Sequence, residues 1–118
     1  MHGRAILLAA LMLSLVASAA VADVRSDARA QVEFGISVAQ KGLWKEAAYR
    51  WQRATQIDPS YAAAYNNLAI AYEQQGDFEK ARTAYERAVE LEPDNAMIRQ
   101  NYDLFKEIND RTTRGSNR

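Results

Sequence analysis

The chain has 118 residues, with 15 Lys and Arg against 15 Asp and Glu, a single His and no Cys. Its length fits one small domain, and its balanced, interspersed charge leaves no basic stripe to hold a phosphate backbone, so nucleic acid is not an expected partner. The missing cysteine excludes disulfides, thiolate metal ligands and a lipid-modified cysteine at the start of a mature chain; an oxidising compartment is permitted but not required.

Met1-His2-Gly3-Arg4 is a short, weakly positive start. Ala5 to Val16 is uncharged and dominated by apolar residues, and Ala17-Ser18-Ala19 and Ala20-Val21-Ala22 follow as small-residue cleavage patterns. This three-part form predicts a secretory signal peptide over residues 1–22, cut after Ala22. The other reading is an uncleaved anchor, because the charge-free stretch from Ala5 to Ala22 stands at the lower limit for a membrane-spanning helix. On either reading the rest of the chain faces the outside of a cytoplasmic membrane, which in a bacterium is the periplasm. Cleavage would leave no integral membrane span and, by removing Arg4, would tip the net charge slightly negative.

Beyond a short lead-in at 23–27, the apolar periodicity predicts helices over about 27–40, 44–57, 62–74, 78–91 and 95–110. Ser26, Ser60 and Asp94 stand just ahead of three of them, where a side-chain oxygen can accept from an unpaired backbone N–H. Gly42 supplies the left-handed geometry that ends a helix. Pro59 stops the second helix, because it has no amide hydrogen and restricts Asp58 before it. Thr112 to Arg118 has no apolar residue, and residues 111–118 are expected to be a disordered tail carrying Arg111, Arg114 and Arg118.

The helices repeat. Shifted by 34 residues, Leu68 falls on Phe34, Ala69 on Gly35, Tyr72 on Val38, Gly76 on Gly42 and Phe78 on Trp44. The match continues with Ala81 on Ala47, Tyr85 on Trp51, Ala88 on Ala54, Leu91 on Ile57 and Pro93 on Pro59. So many in-phase pairs at this spacing mark a helix-turn-helix repeat. The chain from Ala28 to Asn95 resembles the tetratricopeptide repeat (TPR) family, as a small exported member. The second copy fills the small, aromatic and proline positions of the family pattern, with Tyr65 where tryptophan is most typical. The first departs more, with Gln31 in the place of Tyr65 and Val38 in that of Tyr72. The resemblance implies an all-α, right-handed superhelix of two TPR helix pairs, residues 28–61 and 62–95, closed by a C-terminal capping helix over 96–110.

Within each pair, Gly35 and Ala69 are expected to face Ala47 and Ala81, with Phe34, Leu68, Trp51 and Tyr85 supplying bulk. Trp44, Tyr65, Tyr72 and Phe78 fit the same core register, whereas Tyr49 and Tyr61 fall outside it and are expected at the surface. In this family the leading helices line the concave side, which implies three rows across a groove. One holds Val32, Asn66 and Gln100, the next Glu33, Asn67 and Asn101, and the third Ile36, Ile70 and Leu104. Side-chain amides both donate and accept, so Asn67 and Asn101 suit the backbone of an extended peptide. The aliphatic row would take its apolar side chains, or alternatively complete the packing between neighbouring helices. The clamp by which one TPR subclass binds acidic chaperone tails needs basic residues where Val32, Met97 and Asn101 stand and an asparagine at Ile36; of its positions only Asn67 fits, so that ligand class is rejected.

No catalytic, cofactor or metal site is expected. His2 leaves with the signal segment, which removes the usual zinc sites and Ser-His or Cys-His nucleophiles. Glu73 and Glu107 lie in phase and could in principle act as acid and base, but their polar helices make a solvated face the better reading. Gly42 and Gly76 are repeat turns rather than a phosphate-binding cluster. The function implied is a non-catalytic binding module that holds an extended segment of another envelope protein during assembly or scaffolding. The alternative is a structural protein that forms a homo-oligomer: about three repeats are usual for a stable stack and this chain has fewer, so an edge of the first repeat or the face around Tyr49 would pair with a second copy.

Overall fold

Two glycines set the frame. Gly42 and Gly76 both adopt the left-handed region, at φ 76° and 75°, where a side chain would be strained. Around the first, Leu43 N–H donates to Val38 O and Gly42 N–H to Ala39 O; around the second, Asp77 N–H donates to Tyr72 O and Gly76 N–H to Glu73 O. Each is a Schellman stop that satisfies the last carbonyls of one helix and turns the chain into the next.

The computed structural model describes residues 2–116, with side chains from residue 19 onward. It holds α1 (His2–Ala39), α2 (Trp44–Ile57), α3 (Ala62–Gln74), α4 (Phe78–Leu91) and α5 (Ala96–Ser116), with no strand among the described residues. The fold is the all-α helical repeat expected. α1 packs on α2 and α3 on α4 as hairpins, α2 lies against α3, and α5 closes the stack on α4 and the end of α3. The predicted boundaries of the three middle helices match the observed ones.

The outer helices are longer than expected. α1 runs unbroken through Ser26, so this serine caps nothing, and the lead-in at 23–27 is helical. α5 continues to Ser116, supported by an Arg111–Glu107 pair and by Thr112 and Thr113 bonding back to Ile108 O and Asn109 O. The segment 111–116 is therefore helical rather than a disordered tail. Met1, residues 117–118 and the side chains of the leader before residue 19 lie outside the described residues. Among those described, no helix is long and apolar enough to cross a membrane.

The expected caps also shift. Asp77 caps α4 by accepting from Lys80 N–H at 3.3 Å, and Asn95, not Asp94, caps α5 by accepting from Ile98 N–H at 3.2 Å. Ser60 is drawn away from capping α3 because Asp58 takes both its backbone N–H and its hydroxyl, at 3.1 and 2.7 Å. Asp58 then receives Arg25 Nε at 2.5 Å, which ties α1 to the loop ahead of α3.

Small residues admit the partner helices. A Cβ built on Gly35 would stand 2.3 Å from Trp51 Nε1, so α1 and α2 approach through glycine against tryptophan, a closer contact than the expected one with Ala47. The indole N–H donates to Val32 O at 3.0 Å. In the second pair Ala69, Ala81, Ala84 and Tyr85 share one buried cluster with Phe105. α5 carries Asp103 at the position where Gly35 and Ala69 stand, and it is exposed. A carboxylate there resists burial against a further helix of the kind that packs on Gly35 and Ala69.

Candidate functional site

Neighbouring faces of α1 and α3 meet over the start of α2. There Ile36, Ala39 and Gln40 from α1, Asn67 and Ile70 from α3, and Trp44 and Trp51 from α2 line an open depression of about 270 Å³. Trp51 is fixed from below by Gly35 and by its bond to Val32 O, so the depression has a rigid aromatic floor. Ile36 stands at its rim, 42% exposed, while Asn67 and Ile70 are half-buried. An apolar recess with one amide at its wall can take an aliphatic side chain and exchange hydrogen bonds with the peptide group beside it.

The expected rows are only partly assembled. Ile36, Asn67 and Ile70 come together; Glu33, Gln100 and Leu104 are exposed but outside the depression. Val32 and Asn66 are buried in the core, which corrects their assignment to the groove. They occupy the seam that the following helix covers: α3 lies over the first pair and α5 over the second. Gln100, next in that row, is exposed because nothing follows α5 among the described residues. Asn101 likewise belongs to the seam, since its Nδ2 donates to Asn66 Oδ1 at 3.1 Å. A partly buried amide pair of this kind helps to fix how α5 seats on α3.

Several aromatic assignments change as well. Trp51 and Tyr85 are core residues and Trp44, Tyr65 and Tyr72 are partly buried, but Phe34 and Phe78 are nearly half exposed. Tyr49 is exposed as expected. Tyr61 is partly covered, with the Arg25 guanidinium 4.5 Å from its ring centre. Sequence reasoning placed Trp44 and Trp51 in the core without seeing that they also floor the depression; the signal was the alignment of Gly35 opposite a bulky α2 residue.

Electrostatics point to structure rather than chemistry. Burial pushes the Asp58 carboxyl up, but bonds from Arg25 and Ser60 outweigh it and hold the group below its ordinary value. Burial also drives the Tyr85 hydroxyl far above its usual range, and the bond it donates to Glu73 adds to the effect. Glu73 is thus engaged by Tyr85 and Glu107 by Arg111, which leaves no free carboxylate pair in that row. No group of three or more His, Cys, Asp or Glu side chains converges among the described residues.

Two family models match the chain. Residues 62–95, the α3–α4 pair with its flanks, match the model for the tetratricopeptide repeat, and residues 37–76 match a TPR repeat model. Together they span 37–95, half of the chain. The comparison with curated proteins returned no match.

Proposed function

Because this chain belongs to the tetratricopeptide repeat family, whose repeats are protein–protein interaction modules, we propose that it is a non-catalytic binding module of the bacterial cell envelope. It holds an extended segment of a partner protein as an assembly or scaffold factor. The observation that carries this reading is the depression where Ile36, Asn67 and Ile70 converge over Trp44 and Trp51. Its lining favours a segment with an aliphatic side chain and little charge, anchored by its backbone to the Asn67 amide. Export rests on the leader, with its uncharged apolar run and the small-residue sites ending at Ala22.

A photo-crosslinking residue at Ile36, introduced in cells that export the chain, tests both parts. A discrete envelope protein should be captured, capture should fall sharply when Asn67→Ala is added, and the mass of the recovered chain should correspond to a start at Asp23. Crosslinking that is absent, or indifferent to Asn67→Ala, would remove the groove from the binding face. A chain recovered at full mass would replace cleavage with the anchored form.

A further inference from the structure

The first helix pair carries a second surface on its other helix. Glu46, Tyr49, Arg50 and Arg53 follow one another at helical spacing along α2, forming a single stripe. Glu46, Tyr49 and Arg53 are exposed. Arg50 lies between two aromatic rings, its guanidinium 4.2 Å from the centre of Phe34 and 5.4 Å from that of Tyr49. Its Nε is buried without a hydrogen-bond partner. The ion pairs among the described residues all lie elsewhere, so Glu46, Arg50 and Arg53 have no oppositely charged partner. The repeat itself shows what this edge lacks. Leu68, in phase with Phe34, is 6% exposed because it packs into the cluster shared with α2, whereas Phe34 is 45% exposed, with no earlier pair against it among the described residues.

We propose that this stripe is the contact between two copies of the chain, arranged about a two-fold axis that crosses α2 between Tyr49 and Arg50. The charge order is self-complementary about that point. An antiparallel approach sets each Glu46 against Arg53 of the partner copy, and each Tyr49 ring against the partner copy's Arg50. Glu46 and Arg53 each gain an oppositely charged partner, Arg50 gains a further aromatic ring, and the exposed Phe34 and Tyr49 rings are covered. A closed two-fold pairing of this type uses one patch on both copies. It leaves the depression around Ile36 and Asn67 untouched and does not depend on the reading of that site.

The test is sedimentation equilibrium of the full chain in a non-ionic detergent that shields the apolar leader. The parent chain is expected to dimerise. Glu46→Arg and Arg53→Glu, each tested alone, should weaken dimerisation about tenfold or more, because each sets like charges face to face. Mixing the two variants should restore a heterodimer, since Arg at 46 of one copy then meets Glu at 53 of the other, and the second Glu46–Arg53 pair is native. Far-UV circular dichroism checks that these exposed substitutions leave the helices intact. The inference is overturned if the parent is monomeric at the highest attainable concentration, if all samples associate alike, or if mixing restores nothing.

Discussion

The two helix pairs follow one sequence pattern and are held by different contacts. In the first, a glycine admits a tryptophan whose N–H bonds the backbone of the facing helix. In the second, Ala69 shares a cluster with Ala81 and Tyr85, and the tyrosine stacks on Tyr102 and meets Phe105 of α5 at a tilt, with ring centres 5.7 and 5.4 Å away. The first pair is therefore locked by a contact of its own and covered by Ala64, Leu68 and Ala71 of α3, whereas the second is completed by the aromatic rings of the capping helix. A repeat position fixes where a side chain points along the helix; what it meets depends on which neighbour follows.

The largest expected effect breaks the first pair. Trp51→Ala should cost about 3–5 kcal/mol, the usual range for deleting a core aromatic, measured as a lowered urea midpoint. Ala81→Leu, which overpacks the second pair at a site with no exposure, should cost about 1–3 kcal/mol; an unchanged thermal melt would refute the tight α3–α4 approach. Tyr85→Phe keeps the stacking and removes only the bond to Glu73, so a loss of about 1–2 kcal/mol is expected. A loss as large as that of Trp51→Ala would mean that the hydroxyl, rather than the ring, seats α5.

The smallest effect concerns the tie between α1 and the loop before α3. Asp58 is held below its ordinary 3.8 in the folded chain, so between the two values the unfolded chain binds more protons and stability rises with pH. The contribution is fully present above 3.8 and is lost as pH falls below it through the folded value. Urea midpoints across that acid window should therefore steepen in the parent and flatten in Arg25→Ala; equal slopes would show that the pair contributes nothing.

Much of this was legible in the sequence because the strongest constraints are local. The phase of Gly42 and Gly76, the proline after α2 and the apolar spacing of α2 to α4 each act over a turn or two, and each matched. Contacts between elements were harder to read. Val32 and Asn66 follow the same period as groove residues, but the offset between successive pairs turns their row into the seam. Phe34 and Phe78 have core spacing, yet whether they are buried depends on helices beyond their own pair. Ser60 and Asp94 are good capping residues by type, but Asp58 captured the first and Asn95 stood one position nearer the helix than the second.

The floor of the depression has a practical consequence. Trp44 and Trp51 are the only two tryptophans in the chain, and both line the recess beside Ile36 and Asn67. With excitation at the red edge of the tryptophan band, where the tyrosines do not absorb, the emission of the unmodified protein therefore originates at that recess. A segment that seats there would displace water from the partly buried Trp44 indole and shift its emission to the blue, while pairing through α2 would leave the recess open. Under that selective excitation the chain carries its own optical probe of the site, with no label added.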